Sequence, residues 1–98
     1  MPSVSRKTDL GAGHDRCAGT PAISGSPDVE LNGLPALRLG DRLEPHSCSK
    51  HKPHERTVAE GSSTVFVNGR SLVRIGDAID CGGEMAQGSP NVFADDNY

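Results

Sequence analysis

The chain has 98 residues, of which 34% are hydrophobic, and it carries a formal net charge of −3. This length allows one domain with a small apolar core. Lysine and arginine are spread along the chain, which argues against a nucleic-acid partner. No apolar run reaches the roughly 18–20 residues of a membrane span. The opening residues lack the apolar segment of a secretory signal, so we expect synthesis in the cytoplasm.

The first element along the chain is a polar arm at residues 1–8, predicted to be loose at its first few positions. Residues 9–24 form a turn-rich segment, and residues from about 25 to 39 alternate between apolar and polar on both sides of Asn32-Gly33. An Asn-Gly pair between two alternating runs is typical of a β-hairpin with a type I′ turn, because both central residues of that turn need positive φ.

The sequence of this hairpin occurs twice in the chain. Gly25 to Asp41 reads GSPDVELNGLPALRLGD, and Gly61 to Asp77 reads GSSTVFVNGRSLVRIGD; with a shift of 36 they agree at eight positions. A second hairpin is therefore expected at about 58–76. A truncated copy opens at Gly88, and another copy at Lys7 to Gly11 has lost its front. Such repetition indicates one supersecondary unit used several times around a shared core.

An arginine and an aspartate recur at the same offset in both complete copies. Arg38 stands three residues before Asp41, and Arg74 stands three residues before Asp77. A pair so placed can bond within its repeat and satisfy buried backbone groups. We therefore predict a structural role for both pairs rather than a pair of solvated surface charges.

Side chains that can bind a metal follow the aspartate of each copy. His14 and His46 each stand five residues beyond it, and Cys81 stands four residues beyond it. If the repeats surround an axis, these three side chains converge on one point.

A fourth donor lies in the insert at about 41–57, where Pro45 to His54 reads PHSCSKHKPH. His51 is our first choice, with Cys48 and His54 as alternates. A closed set of His and Cys suits a structural, tetrahedral Zn²⁺ ion, and a domain with so little to bury needs such a staple. Cys17 is left as a buried or free thiol, or as the disulfide partner of Cys48.

The end of the chain comprises the Cys81-Gly82-Gly83 turn, a last strand at about 84–94 and a polar tail at 95–98. No segment shows apolar residues at helical spacing, and at most one helical turn fits at 50–56. We therefore expect one all-β domain over residues 1–98. No HExxH motif and no Ser/His/Asp set stands out, so we do not expect an enzyme.

Strand alternation divides the apolar side chains into two groups. One group fills the interior: Val29, Leu31, Val65, Val67 and Val92. The other group is left over as an exposed apolar face, which a partner should cover: Leu34, Leu37, Leu72, Val73 and Phe93.

These features resemble the PAAR-repeat proteins. The motif stands as Pro35-Ala36-Leu37-Arg38 followed by Leu39-Gly40-Asp41, and again in a weaker form from Ser71 to Asp77. Cys81-Gly82-Gly83 and the segment that opens at Gly88 support it, so that the resemblance covers residues 6–94. Members of this family sharpen the spike of the bacterial type VI secretion system and of related contractile phage tails.

The resemblance implies a small cone of short β-hairpins with pseudo-threefold character. Its point would hold a zinc ion bound by His14, His46, His51 and Cys81. Its broad base would cap a trimeric β-helical spike, one copy per trimer, at the tip of a particle that is delivered outside the cell or belongs to a virion. The target membrane would be contacted only by piercing. Short members of the family are bare tips, so the end at Tyr98 predicts no effector domain in this chain, and an effector would travel as separate cargo.

The competing interpretation is a free-standing, zinc-stabilised β domain that binds a soluble partner or ligand. A flat apolar base favours the spike tip, whereas a cleft with polar groups favours the binding module. Both a phage tail and a secretion system agree with the residues.

Overall fold

The computed structural model describes residues 2–13, 19–48, 51–80 and 82–94, with side chains for all of these except 46–48 and 51–54. Within these ranges every regular element is a β-strand, so the prediction of an all-β domain of short hairpins is confirmed. In the part of the chain described here, no helix has the length and apolar character needed to cross a bilayer. The strands are β1 (Leu10–Gly11), β2 (Thr20–Pro21), β3 (Glu30–Leu31), β4 (Leu34–Pro35), β5 (Arg42–Cys48), β6 (His51–Thr57), β7 (Phe66–Val67) and β8 (Arg70–Ser71).

Both Asn-Gly hairpins form as predicted. β3 pairs with β4 and β7 pairs with β8, each in antiparallel register around its turn. Asn32 and Gly33 have φ of 57° and 79°, and Asn68 and Gly69 have φ of 55° and 76°. These angles are those of a type I′ turn, which only glycine and asparagine adopt readily at both central positions.

Three segments of chain, residues 2–6, 34–38 and 70–74, surround a common axis. The Leu37 N–H donates to the Ser5 carbonyl at 3.1 Å, and the Val73 N–H donates to the Leu37 carbonyl at 3.0 Å. The Ser5 N–H completes the circle by donating to the Val73 carbonyl at 2.9 Å. We call these three residues the central ring, and its closure gives the domain its pseudo-threefold symmetry.

The third hairpin is split between the two ends of the chain. The Val4 N–H donates to the Val92 carbonyl at 3.0 Å, an equivalent bond closes each Asn-Gly hairpin, and Ser3 bridges to Phe93. The truncated copy at Gly88 and the copy without a front are thus two halves of one repeat. Residues 2–6 are not the loose polar arm that we expected, because Val4 and Ser5 fill central positions and are fully buried.

Two apolar clusters lie on opposite sides of the central ring. Successive residues of a strand point in opposite directions, so Ala36 enters one cluster and Leu37 the other. The first cluster packs beneath β5 and β6, and the second lies among the Asn-Gly hairpins. The first comprises Ala22, Leu37, Leu43, Val58, Val73, Ile79 and Met85, and the second comprises Val4, Ala36, Leu72 and Ala94.

The insert of the middle repeat is a long β-hairpin. β5 and β6 have 7 residues each, and their register shifts twice, between Leu43 and His46 and between His46 and Cys48. β6 occupies the stretch in which the sequence allowed a helical turn. Pairing with β5 supplies several inter-strand backbone hydrogen bonds, whereas a single isolated helical turn gains one bond for three fixed residues.

A tight turn follows each central segment. Gly40 and Gly76 occupy its third position with φ of 87° and 94°, as a type II turn requires. In the split repeat the same position is held by Thr8, with φ of 81°. A β-branched residue is strained in this left-handed region. The split repeat therefore has local backbone strain that the other two repeats avoid with glycine.

Replacing Thr8 with glycine should therefore stabilise the domain. Relief of roughly 1–2 kcal/mol of left-handed strain exceeds the roughly 0.5–1 kcal/mol that the added flexibility of glycine costs. We expect the free energy of unfolding in urea to rise by up to about 1 kcal/mol. As a matched control, Gly76→Ala introduces a Cβ with nothing within 4 Å, so it adds left-handed strain without a steric clash, and stability should fall. A Thr8→Gly variant less stable than the wild type would contradict this prediction.

Candidate functional site

An open apolar bowl lies among the Asn-Gly hairpins, with the second cluster as its floor. It has a volume of about 430 Å³. Its lining residues fall into three sets of three, each set occupying equivalent positions in the three repeats. The sets are Val4, Ala36 and Leu72; Val29, Val65 and Val92; and Leu31, Val67 and Ala94, and Phe93 completes the wall.

The residues expected on an exposed apolar face lie on both sides of the central ring. Leu72 and Phe93 line the bowl, and Leu34 is half-buried in β4. Leu37 and Val73 are fully buried in the first cluster, so the expectation that they are exposed was wrong. The reason is strand alternation: each follows directly after a floor residue and so points to the other side of the central ring.

The residues assigned to the interior are instead half-buried and line the bowl. These are Val29, Leu31, Val65, Val67 and Val92. The sequence analysis also missed Val4, Ala36 and Ala94. A signal was present, because Arg6 and Asp9 have the spacing of Arg38 and Asp41, and this alignment places Val4 beside Ala36.

At the opposite side of the central ring, three further hairpins carry the predicted metal donors. They span residues 10–21, 42–57 and 78–84, and each follows one of the tight turns. Bridges join neighbours in a circle: Ala22 with Leu43, Val58 with Ile79, and Met85 with Gly11. We call this end of the molecule the donor pole.

Of the predicted donors, the structure describes only the backbones of four, His46 and Cys48 in β5 and His51 and His54 in β6. His14, Cys17 and Cys81 lie outside the described residues, as do the side chains of His46, Cys48, His51 and His54. The backbone register places His46 opposite His54 and Cys48 opposite His51. Among the described residues there is no group of three or more His, Cys, Asp or Glu that could hold a metal. The choice between His51 and its alternates stays a prediction.

The described neighbours of the donors are nevertheless in contact. The Ala12 N–H, two residues before His14, donates to the Glu84 carbonyl at 2.8 Å. Gly83, two residues after Cys81, lies so close that a Cβ there would be 2.5 Å from the Ala12 oxygen. The segments that lead to His14 and Cys81 therefore run side by side, and the mixed His/Cys chemistry of the donors fits a structural zinc ion.

The arginine and aspartate of each tight turn form a bidentate pair. Arg38 donates from Nε to Asp41 Oδ2 and from Nη2 to Asp41 Oδ1, both at 3.0 Å, and its backbone N–H donates to Oδ2 at 2.7 Å. Arg74 with Asp77 and Arg6 with Asp9 repeat this geometry. The predicted pairing is confirmed, and the split repeat supplies a third pair that the sequence analysis missed.

The pair at Asp41 is the one whose electrostatics are clearest. Burial by itself raises the pKa of the Asp41 carboxyl, since desolvation disfavours the charged form. Hydrogen bonds from the Arg38 side chain, from the Arg38 N–H and from Ser24 Oγ outweigh this effect. The pKa of Asp41 therefore lies below its ordinary value, and the carboxylate is charged at neutral pH.

A protein-family model for the PAAR motif matches residues 12–87 of this chain. The chain belongs to the PAAR motif family. In the structure, residues 3–6, 35–38 and 71–74 occupy equivalent positions around the axis, and each segment ends with the arginine of an Arg–Asp pair. We call these three the PAAR segments. The tight turns connect each PAAR segment to a donor-bearing hairpin, so the motif links the bowl to the donor pole.

Similar proteins include much longer toxins. The chain is 44% identical over 71 residues to the double-stranded DNA deaminase toxin A of Burkholderia cenocepacia. It is 36% identical over 77 residues to the NAD(P)(+) glycohydrolase toxin Tse6 of Pseudomonas aeruginosa, and 41% identical over 69 residues to the NAD(+)–protein-arginine ADP-ribosyltransferase Tre1 of Serratia proteamaculans. These matches cover 72%, 72% and 70% of the PAAR chain, but only 5%, 18% and 15% of the relatives.

Asp41→Asn should change how stability depends on pH. Because folding depresses the pKa of Asp41, its pairing stabilises the fold above the unfolded pKa of about 3.9. This stability is lost as the pH falls through the lower, folded pKa. We expect the variant to lose on the order of 3 kcal/mol at pH 7, as for one broken buried pair, and to show a flatter decline below about pH 4. Urea unfolding at a series of pH values measures both effects.

The control for this experiment is Glu55→Gln. The Glu55 side chain is 75% exposed and lies 3.9 Å from Arg42, so the change should alter stability by less than about 0.5 kcal/mol. An Asp41→Asn variant whose free energy of unfolding falls as steeply at acidic pH as that of the wild type would contradict the lowered pKa of Asp41.

Proposed function

We propose that this PAAR domain is the tip of the spike of a type VI secretion system. The bowl caps the blunt end of a trimeric β-helical spike, one copy per trimer, and the donor pole faces the target membrane and pierces it. Membership of the family and the toxin relatives support the secretion role. The toxin relatives also favour a secretion system over a phage tail.

The observation that carries the docking proposal is the threefold repetition in the bowl. A trimer presents three copies of each of its side chains around its axis, and a single chain matches them only if it repeats its own contacts three times. The bowl does so with three sets of apolar residues at equivalent positions. An apolar surface of this size is normally covered by a partner.

The competing proposal, a soluble domain that binds a small ligand, is less well supported. Ligand pockets orient their ligands with a few polar groups among apolar ones. The lining residues that the structure describes here are all apolar. Such a bowl can bury apolar side chains but has little with which to select a polar ligand, which agrees with a protein partner.

At the donor pole we propose one structural zinc ion, bound by His14, His46, Cys81 and a fourth donor. His51 is our first choice for the fourth donor, and the pairing of His46 with His54 makes His54 the first alternate. The ion would supply folding energy to the end of the domain that has few apolar residues to bury. The proposed role is structural, with no catalytic step.

The toxin relatives suggest how such a tip serves a larger system. Each matched segment is a small share of the relative's length, so in those proteins a PAAR region and a toxin belong to one chain. For the present chain we propose that it joins or accompanies an effector that travels with the spike.

Charged residues in the bowl should prevent docking. In the Leu31→Asp, Val67→Asp double variant, two buried carboxylates would face an apolar partner without compensating bonds. We expect affinity for the trimeric spike protein of the same particle to fall roughly thirtyfold or more, the effect of losing about 2 kcal/mol. Co-purification shows whether the variant still binds the spike protein. Native mass measurement gives the stoichiometry, which is expected to be one chain per trimer.

Ile75→Asp is the matched control, since Ile75 is 39% exposed and is not among the residues that line the bowl. It should bind the spike as the wild type does, and metal content should be equal in all three proteins. If the double variant still co-purifies with the spike, the docking face is wrong. If the wild type binds no trimeric spike, the proposed function is wrong.

Removal of the metal should destabilise the whole domain. At a free zinc concentration one hundred times the dissociation constant, binding contributes about 2.7 kcal/mol, which corresponds to roughly 10–20 °C in Tm for a domain of this size. We expect one zinc per chain by elemental analysis and a fall in Tm of this order on chelation. His46→Ala and Cys81→Ala should each show the fall without a chelator.

Comparison of His51→Ala with His54→Ala identifies the fourth donor. The variant that loses the ligand should bind zinc more weakly, while the other should remain close to the wild type. A wild-type protein without stoichiometric zinc, or with a Tm that does not respond to chelation, would refute the metal centre and leave the docking proposal intact.

A further inference from the structure

Arg56 is a fully buried arginine in β6 whose role neither the PAAR motif nor the bowl explains. It is the largest of the fully buried side chains that the structure describes. A guanidinium has five N–H donors and no acceptor, and burying it is costly unless those donors are bonded. The partners of Arg56 therefore indicate which part of the structure this buried guanidinium stabilises.

The described acceptors of Arg56 all belong to another hairpin. Its Nη1 donates to Thr20 Oγ1 at 2.9 Å and to the Gly11 carbonyl at 3.3 Å, and its Nη2 donates to the Ala12 carbonyl. These atoms lie in β1, in β2 and at the start of the loop that contains His14. One side chain from the hairpin of His46 and His51 thus holds the hairpin of His14.

The same guanidinium reaches the third donor-bearing segment. Arg56 Nη2 lies 3.4 Å from the place that a Cβ on Gly83 would occupy, and that place is also next to the Ala12 oxygen. Gly83 has φ of 82° and follows Cys81 by two residues. A larger residue there would collide with the Ala12 carbonyl, so glycine lets this turn pack against the atom that Arg56 binds.

We propose that Arg56 is the positioning residue of the donor pole: its guanidinium holds the segment next to His14 against β6, beside the turn that contains Gly83, so that the metal donors are arranged before the ion binds. This inference rests on the zinc centre proposed above. Donors that are already in place lose less conformational freedom when the metal arrives, so the metal binds more tightly. Groups that orient metal ligands typically affect metal affinity by about 10- to 100-fold.

Two substitutions distinguish the contribution of the guanidinium from that of the rest of the side chain. Arg56→Met keeps a flexible apolar stem and removes every donor, whereas Arg56→Lys keeps the charge but has one ammonium that cannot span the same set of acceptors. The matched control is Arg42→Met in β5, since the Arg42 side chain is 59% exposed and its closest described charge, on Glu55, is 3.9 Å away.

The experiment measures zinc affinity by competition with a chelator of known affinity, on the full chain. We expect Arg56→Met to bind zinc about 10- to 100-fold more weakly than the wild type. The zinc affinity of Arg56→Lys should lie between those of Arg56→Met and the wild type. The zinc affinity of Arg42→Met should stay within about twofold of the wild-type value. The absorption spectrum of the Co²⁺-loaded protein should change in both Arg56 variants, because the donors no longer hold the same geometry.

Unfolding in the metal-loaded and in the chelated state distinguishes positioning from simple packing. A positioning role requires that Arg56→Met destabilise the loaded protein more than the chelated one, by the same factor as the loss of affinity. Equal destabilisation in both states, with unchanged zinc affinity, overturns the inference. If Arg56→Met does not fold, Arg56→Lys decides: wild-type affinity and an unchanged Co²⁺ spectrum overturn the inference, and weaker binding supports it.

Failure of the zinc centre itself would be recognised separately. A wild-type chain that binds no zinc overturns both this inference and the metal part of the proposed function. A wild-type chain that binds zinc as tightly as its Arg56→Met variant overturns the inference alone.

Discussion

The three hydrogen bonds of the central ring are the constraint on which the rest of the structure depends. Ser5, Leu37 and Val73 each donate to one member of the ring and accept from another. The ring closes because its third position is filled by a repeat built from two separate segments, residues 2–6 and 88–94. Here the N-terminal segment fills that position, and the third hairpin is completed by pairing of Val4 with Val92. Both segments are thus part of the architecture.

Closure of the ring gives the molecule two ends with different chemistry. On each central segment one residue faces the bowl and the next faces the first cluster, so the same strands build both sides. The Arg–Asp turns then redirect the chain from each PAAR segment into a donor-bearing hairpin. The same unit, repeated three times, therefore produces an apolar threefold surface at one end and the three paired segments of the donor pole at the other.

The departures from threefold symmetry are as informative as the symmetry. Gly11 takes the position that Leu43 and Ile79 hold in the other repeats, and a side chain there would collide with both of them. The small core has room for two large side chains at this level but not three. Arg56 has no counterpart of similar burial among the described residues, and it joins the hairpins where the ligands are expected. Thr8 keeps a strained angle that glycine has in the other repeats.

The β class, both Asn-Gly hairpins and the Arg38–Asp41 and Arg74–Asp77 pairs could be predicted from the sequence alone. These features depend on residues within a few positions of one another, where turn chemistry and strand alternation act directly. Three features could be seen only in the folded chain: residues 2–6 complete the third repeat, Leu37 and Val73 are buried, and Arg56 joins two hairpins. Each of these depends on contacts between residues far apart in the chain, and on which side of the central ring a side chain points, and neither follows from local pattern alone.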